Sequence, residues 1–211
     1  MIKFYVCDTE TTGLKAGYHE MTEIGIIRAD DRVQLWRKIK CENPERASFD
    51  ALAITKKTMA DLEIGLDKFA IVKEVNKFLE EDGLSPAHRC FICHNVPFDR
   101  KFLHALWEQC GERFPADLWL DTIPLTKSYA KAIGLVKPKV NLHAACDIVG
   151  IKKISEAHNA KVDSRNTFLL HRDLVEVKQV DYLPFIKTAI HNLAGDSSAD
   201  GEGLDPSLLD L

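Results

Sequence analysis

The amino-acid sequence predicts an α/β fold in which helices pack on a mixed β-sheet. Short apolar segments with the patterning of strands alternate with longer segments whose apolar residues recur every three or four positions. Of the 211 residues, 45% are hydrophobic, which is enough to fill a core between a sheet and its helices. Because strands come first and are followed by helices around further strands, the sheet is expected to be mixed.

Five strands are predicted. The third contains Val33, Leu35 and Ile39 separated by polar or amphipathic residues, which is the period near two of a strand with one buried face. The fourth is a short, continuously apolar run, which is typical of a strand buried on both faces. The predicted strands cover residues 2–8, 23–29, 33–41, 90–93 and 118–120.

Six helices are predicted from apolar periodicity and from the residues that start or stop helices. In the first, Phe69, Val72 and Val75 recur at helical spacing. Pro97 opens the second, because proline is tolerated in the first turn of a helix, and Gly111 ends it. The predicted helices cover residues 67–81, 97–110, 123–133, 141–149, 164–174 and 181–193.

The end of the chain differs in composition from the rest. Residues 194–211 contain five acidic residues, several glycines and serines, and no lysine or arginine. Such a segment buries too little apolar surface to fold by itself, so we predict a disordered acidic tail. Residues 1–193 are predicted to form a single folded domain.

Charge and apolar patterning exclude several classes of protein. The chain carries 28 Lys+Arg and 32 Asp+Glu, a net charge of −4, so any nucleic-acid binding must be local. The lysine-rich stretch between Lys127 and Lys161 could track phosphates, and a solvated helix face explains it equally well. No apolar run approaches the ~20 residues that span a bilayer, and the first residues lack a signal-peptide core. We therefore expect a cytoplasmic protein with no membrane partner, whose six cysteines are free thiols.

Acidic side chains occur at three places where a functional role competes with a structural one. Asp8 and Glu10 follow an apolar strand two residues apart, so both point to one face of an extended segment, where they repel each other unless a cation lies between them. Asp99 lies in a predicted first helical turn, and Asp163 begins a helix five residues after His158. Each of the last two alone is explained by helix capping or the helix dipole.

Together these residues form three ordered motifs that resemble those of the DEDDh 3′-to-5′ exonucleases, a family typified by the proofreading epsilon subunit of bacterial DNA polymerase III. Residues 8–13 read Asp-Thr-Glu-Thr-Thr-Gly, residues 94–99 read His-Asn-Val-Pro-Phe-Asp, and His158 precedes Asp163 with four residues between. The segments Glu23-Ile24-Gly25 and Leu120-Asp121-Thr122 also resemble that family. Ser164 departs from it, since a small alanine is usual there.

The resemblance implies a ribonuclease H-like fold, here a five-stranded mixed sheet flanked by helices, with residues 1–193 as the exonuclease domain. It implies hydrolysis with two Mg²⁺ ions, for which Mn²⁺ can substitute, and carboxylate oxygens suit both metals. The ligands would be Asp8, Glu10, Asp99 and Asp163, with Asp8 bridging the ions and Asp99 acting mainly through water. His158 would be the general base, because imidazole accepts protons near neutral pH.

Substrate contacts follow from the same resemblance. The expected substrate is a single-stranded 3′ end, with DNA favoured, and the product is a nucleoside monophosphate. RNA trimming or oligoribonucleotide degradation remains the alternative, because the contact to a 2′-hydroxyl is not located by the sequence. Backbone groups of two threonines would hold the 3′-hydroxyl, a leucine would wedge against the terminal base, and two further side chains would line the nucleotide pocket. These residues are Thr11, Thr12, Leu14, Asn95 and Phe98.

Three other interpretations bear on function. A zinc site at Cys90 and Cys93 is disfavoured, because on a strand these side chains point to opposite faces and no second ligand pair completes a tetrahedron. A binding module without catalysis would be expected to have lost an acid or the histidine, and all five are present. The apolar and acidic residues 204–211 fit either a solubilising tail or a peptide that docks on a replication clamp or polymerase.

Overall fold

One six-stranded sheet organises the protein. The computed structural model describes residues 1–154 and 158–188, and the six strands within those ranges form a single mixed sheet. The α/β class is therefore as predicted, with one strand more than the five expected. The strands are β1 (Lys3–Thr11), β2 (Met21–Arg28), β3 (Gln34–Lys38), β4 (Arg89–Cys93), β5 (Leu118–Asp121) and β6 (Ile186–Thr188), in the spatial order β3-β2-β1-β4-β5-β6.

Parallel and antiparallel pairs divide the sheet. β1, β4 and β5 are parallel neighbours, whereas β2, β3 and β6 pair antiparallel with theirs. The carboxyl ends of the three parallel strands consequently lie at one edge, the position where open α/β sheets place their ligands. Glu10 lies near the carboxyl end of β1, Asp121 ends β5, and Asp99 lies in the segment that follows β4.

The sixth strand corrects one prediction. A helix was expected over residues 181–193, but the structure has a 3₁₀ turn at Leu183–Phe185 followed by β6, which pairs with β5. Pro184 has no N–H to donate within a helix, and Ile186 is buried against β5, which favours the strand. Residues 189–193, and the predicted tail at 194–211, lie outside the described residues.

The described part of the chain has seven α-helices, which cover both faces of the sheet. The two shortest were not predicted, although each has a capping residue, Ser48 and Thr58, directly before it. A helix predicted from residue 164 begins four residues earlier, because Asn159 caps it. The helices are α1 (Phe49–Thr55), α2 (Met59–Leu62), α3 (Lys68–Glu80), α4 (Val96–Gln109), α5 (Thr122–Ala132), α6 (Leu142–Val149) and α7 (Ala160–Arg172).

The alternation of side chains along each strand produces two separate cores. Tyr5 and Cys7 of β1 belong to the core that contains α3 and α4, while Val6 belongs to the core that contains α6 and α7. β4 divides in the same way, with Cys93 in the first core and Cys90 in the second. The two thiols therefore face opposite sides of the sheet, as expected from their strand, and do not form a shared zinc site.

Helix α7 lies unusually close to β2. A Cβ atom at Gly25 would meet the carbonyl oxygen of Ala160 at 2.3 Å and the hydroxyl of Ser164 at 2.9 Å. Glycine is thus required by the approach of the helix backbone, and it also leaves room for the serine where the resembling family has alanine. This contact sets the distance between the first turn of α7 and the strands beside it.

The length and hydropathy of each helix decide whether it could cross a membrane. Among residues 1–154 and 158–188, no helix combines the length and the apolar character needed to cross a bilayer.

Candidate active site

Three carboxylates converge at the carboxyl end of β1. Asp8 and Glu10 point to the same face of the strand, as their spacing predicts, and α7 brings Asp163 to them from that face. One oxygen from each of the three side chains can be chosen so that all lie within 4.8 Å of one another. Glu10 and Asp163 are each 8% exposed. Asp163, which is far from Asp8 and Glu10 in the sequence, therefore joins them in one compact cluster.

The start of α7 positions Asp163 and His158 together. The Asn159 side chain caps the helix by accepting hydrogen bonds from the backbone N–H groups of Lys161 and Val162. The backbone N–H of His158 donates to Asp163 Oδ2 at 2.8 Å, with His158 in the left-handed region at φ 71°. The exposed imidazole thus stands beside the cluster, while its backbone orients one of the carboxylates.

The other carboxylate oxygen of Asp163 has a different environment. Among the described residues, Oδ1 is buried and has no hydrogen-bond partner. An unpaired, buried carboxylate oxygen costs free energy unless a cation or donor satisfies it. This oxygen therefore marks the side of the cluster on which a cation could be bound.

Asp99 approaches from the opposite face of β1. It is 3% exposed in the first turn of α4, and its Oδ1 accepts hydrogen bonds from the backbone N–H of Thr9 at 3.1 Å and from the Thr9 hydroxyl at 2.8 Å. Asp99 is not a member of the compact cluster. Its expected role as a metal ligand that acts mainly through water stays a prediction.

The turn that leads into α4 is held by a further acid. Asp121, at the end of β5, accepts hydrogen bonds from the backbone N–H groups of Asn95 and Val96 and also caps α5 through Ile123 N–H. Asn95 adopts a left-handed conformation with φ 94°. The side chain of Asp121 therefore fixes the geometry of the segment that delivers Asp99.

Burial, together with the neighbouring negative charges, raises the pKa values of Asp8, Glu10 and Asp99. Burial and the charges of Asp99, Glu10 and Asp163 raise the pKa of Asp8 well above its usual value. Burial, Asp163 and Glu23 raise the pKa of Glu10 to about 8, against the opposing effect of Lys57. The pKa of Asp99 rises to about 7, chiefly through burial. At neutral pH the site therefore holds protons, or requires cations, to remain assembled.

These shifts predict how stability depends on pH. The pKa of the Glu10 carboxyl is 4.5 in the unfolded chain and about 8 in the folded protein. Between these values the folded state binds more protons, so the free energy of unfolding falls as the pH rises. We expect the melting temperature of the metal-free protein, measured in EDTA, to decrease from about pH 5 to about pH 8.

A variant and a cation provide the controls for this pH dependence. Glu10→Gln has no proton to lose and should show a shallower decrease, and saturating Mg²⁺ should flatten the wild-type curve because the cation replaces the protons. Equal slopes for the wild type and Glu10→Gln would contradict the assignment.

The donor set fits a divalent metal. Carboxylate oxygens are the ligands that Mg²⁺ and Mn²⁺ prefer, the carboxyls of Asp8 and Glu10 repel their neighbours, and the buried Oδ1 of Asp163 has no partner among the described residues. A cation would relieve both the repulsion and the unsatisfied oxygen. Asp8, Glu10 and Asp163 are thus the residues that could hold it.

A cleft of about 350 Å³ opens beside the cluster. Its wall includes His94, whose two ring nitrogens bond to the Thr122 hydroxyl and the Val140 carbonyl, both at 2.7 Å. Burial lowers the pKa of His94, and its two hydrogen bonds hold the loop before α6 in place. The cleft is lined by Asp8, His94, Asn141, Leu142, His143, His158 and Asp163.

The two threonines predicted to hold a 3′-hydroxyl are buried at the end of β1. Thr12 donates its backbone N–H to the Glu20 carbonyl and accepts from Ser48 N–H, each at 2.8 Å. The Thr11 hydroxyl donates to the Gly13 carbonyl at 2.7 Å. A carbonyl oxygen has two lone pairs, so that of Thr12 can accept a second hydrogen bond. Their contact with substrate stays a prediction.

The other predicted substrate contacts, Leu14, Asn95 and Phe98, are exposed or partly exposed. Leu14 is 76% exposed, and its carbonyl accepts a hydrogen bond from Lys101 Nζ at 2.7 Å. The same ammonium lies 5.1 Å from the centre of the Phe98 ring, which packs against the Phe102 ring with centres 5.1 Å apart and planes tilted by 49°. Leu14 and Phe98 are therefore brought together around Lys101, a cation that the sequence interpretation did not single out.

Two further residues at the site were missed as functional candidates. Glu23, on β2, is 2% exposed and lies directly opposite Glu10 in the strand pair. Lys57, in the turn between α1 and α2, forms an ion pair with it. A buried glutamate in an apolar strand is a detectable signal. Lys57 has no such signal, because only tertiary packing brings it to the strands.

Comparison with known proteins identifies the relatives of this site. The RNase_T family model, described as an exonuclease, matches residues 5–170. DNA polymerase III subunit epsilon of Treponema pallidum (strain Nichols) is 26% identical over 165 residues, which is 78% of this chain and 72% of that protein. The residues matched by the family model include Asp8, Glu10 and Asp163.

Solved structures share the fold. E. coli exonuclease I in complex with a dT13 oligonucleotide superposes with a TM-score of 0.68 at 18% identity, over 85% of this chain and 42% of that one. A 3′-exonuclease that recognises the histone mRNA stem-loop superposes with a TM-score of 0.69 at 16% identity, over 97% and 74%. The chain thus has a ribonuclease H-like exonuclease fold, and it spans less than half the length of the exonuclease I chain.

Proposed function

This chain belongs to the RNase_T exonuclease family, and on that basis we propose that it is a metal-dependent 3′-to-5′ exonuclease of the DEDDh type that releases nucleoside monophosphates from DNA ends. The observation that carries the proposal is the cluster of Asp8, Glu10 and Asp163, with an unpartnered buried oxygen on Asp163 among the described residues. A purely structural cluster would be expected to satisfy that oxygen within the protein.

The bond that breaks joins phosphorus to the 3′ oxygen of the penultimate nucleotide. A water oxygen bonds to phosphorus, the 3′ oxygen leaves, and the terminal nucleotide departs as a 5′-monophosphate. Bound divalent metal, Mg²⁺ or Mn²⁺, supplies the positive charge that activates the water and stabilises the leaving oxygen. Asp8, Glu10 and Asp163 would hold it, with Asp99 contributing from the other face of β1.

His158 is proposed as the general base that removes a proton from the attacking water. The imidazole is exposed and lines the cleft beside the acidic cluster, while the backbone of the same residue is bonded to Asp163. Because the side chain is free of the packed core, it can approach the substrate without disturbing the ligands. Imidazole near neutral pH accepts a proton and returns it to solvent.

The terminal nucleotide is proposed to lie along the surface between the end of β1 and the start of α4. Thr11 and Thr12 would contact the 3′-hydroxyl, and Leu14 and Asn95 would flank the base. Phe98 presents an aromatic ring beside the Lys101 ammonium, a combination suited to a stacked base next to a phosphate. None of these groups reads base identity, so cleavage is expected to be largely independent of sequence.

A role in DNA replication proofreading or repair is proposed from the likeness to a DNA polymerase III epsilon subunit, and the corresponding partner would be a polymerase or its clamp. The cytoplasmic location expected from the sequence agrees with that role. RNA is the alternative substrate, since a similar fold belongs to an exonuclease whose target is a histone mRNA stem-loop.

Matched oligonucleotides test the choice of substrate. With 5′-labelled single-stranded DNA and RNA of the same sequence in Mg²⁺, we expect the DNA to shorten faster and the released product to be a 5′-monophosphate. Faster shortening of the RNA would support the alternative. Products of internal cleavage would contradict both.

A further inference from the structure

Lys57 is a largely buried cation beside the acidic cluster. It directly follows Lys56, whose left-handed conformation with φ 54° ends α1, so the chain turns towards the sheet at this point. The Lys57 side chain is 11% exposed, and its ammonium is paired with Glu23 Oε1. Lysine is seldom buried without a function or a partner, because removing its charge from water is costly.

The partner carboxylate connects this cation to the catalytic elements. Glu23 lies opposite Glu10 across the β1–β2 pair. Its Oε2 accepts hydrogen bonds from Trp36 Nε1 at 3.2 Å and from the backbone N–H of Ala160 at 3.3 Å. Ala160 begins α7, the helix that supplies Asp163. Glu23 therefore joins Lys57 to a strand and to a helix that both carry members of the acidic cluster.

Lys57 offsets part of the negative charge at this position. Glu23 adds a further negative charge that repels Glu10, and Lys57 is the cation that opposes this repulsion. A divalent metal at Asp8, Glu10 and Asp163 would be the second positive charge acting on the same carboxylates. The two cations are consequently expected to compete electrostatically, although they occupy different places.

We propose that Lys57, held by Glu23, is the resident counter-charge of the metal site: it keeps the carboxylates together when no metal is bound, and it lowers the affinity for divalent metal. The inference rests on the proposed function, because it assumes that the acidic cluster binds metal. It assigns Lys57 a role in setting metal affinity, and it makes Glu23 a positioning residue whose own charge acts in the opposite direction.

A pair that tunes metal affinity by its charges and a pair that only holds the turn in place predict different effects of single substitutions on metal binding. If the pair merely holds the turn in place, removing either partner should weaken metal binding. If its charges tune the site, Lys57→Met should tighten Mn²⁺ binding and Glu23→Gln, which leaves the lysine unbalanced, should weaken it. One elementary charge at a partly screened distance should change the dissociation constant about threefold to tenfold in each direction.

The test is calorimetric titration of Mn²⁺ into the full chain without nucleic acid. We expect opposite shifts for Lys57→Met and Glu23→Gln, and near wild-type affinity both for the double variant, whose pair has no net charge, and for Lys57→Arg, which keeps the charge. We also expect Lys57→Met to lower the melting temperature in EDTA and to recover most of the difference in saturating Mn²⁺.

Two results would overturn the inference. Weaker binding in both single variants, or unchanged binding in both, would show that the pair is structural. Should Lys57→Met fail to fold, the double variant, which leaves neither charge unpaired, decides: near wild-type affinity supports the charge effect, and affinity as weak as that of Glu23→Gln alone overturns it. No Mn²⁺ binding by the wild type would instead refute the metal site itself, and with it the proposed function.

Discussion

Replacing Asp163 with asparagine is expected to reduce nuclease activity at least ~10³-fold while raising the melting temperature of the metal-free protein. Activity falls because the carboxylate is part of a charge-stabilising metal site worth several kcal/mol in the transition state, and each 1.36 kcal/mol is about tenfold in rate. Stability rises because one of the charges that repel Asp8 and Glu10 is removed. The asparagine oxygen can still accept the hydrogen bond from His158 N–H.

The measurement pairs initial rates in saturating Mg²⁺ with thermal melts in EDTA. Asp147→Asn is the matched control, because Asp147 is an exposed aspartate on α6 that pairs only with Lys153 among the described residues. It should change neither property appreciably. A variant at Asp163 that loses stability and activity together would indicate a structural role, and one that keeps wild-type activity would remove Asp163 from the site.

Replacing His158 with alanine is expected to lower the turnover number about 10²- to 10⁴-fold, the usual contribution of a general base. Metal binding should survive, because the imidazole is exposed and only the backbone of this residue contacts Asp163. The increase in melting temperature caused by Mg²⁺ should therefore equal that of the wild type. This combination separates loss of proton transfer from loss of the metal site.

His88→Ala is the control for that experiment. His88 lies before β4, at the end of the strand away from the cleft, where its ring bonds to the Ser85 hydroxyl. Its replacement should leave turnover unchanged. If His158→Ala were as active as this control, another group would have to accept the proton, and the assignment of His158 would be wrong.

Much of the fold was predictable because it depends on local patterns. Period-two and apolar segments located five strands, and capping residues and periodicity located most of the longer helices. β6 was not predicted, because its three residues become a strand only by pairing with β5 and because the surrounding sequence also has helical periodicity. Tertiary pairing decided between the two structures.

The site was predictable to the extent that its residues follow regular elements. Two residues of separation on a strand put Asp8 and Glu10 on one face. Asp163 was predicted to begin a helix, and the structure places it in the first turn instead, because α7 begins at Ala160. The contribution of Lys57 was not predictable, because it comes from a turn more than thirty residues away from Glu23 in the chain. The close approach of α7 at Gly25 was equally invisible before the backbone was placed.

The most direct test of the central claim is a time course on 5′-labelled single-stranded DNA, in Mg²⁺ and in EDTA, beside the same oligonucleotide with its 3′ end blocked by an inverted nucleotide. We predict a ladder that shortens one nucleotide at a time from the free 3′ end, only with Mg²⁺, and little cleavage of the blocked strand. Folded protein that cleaves neither strand, or that cuts both internally, would contradict the assignment of the Asp8, Glu10 and Asp163 cluster as a 3′-to-5′ exonuclease centre.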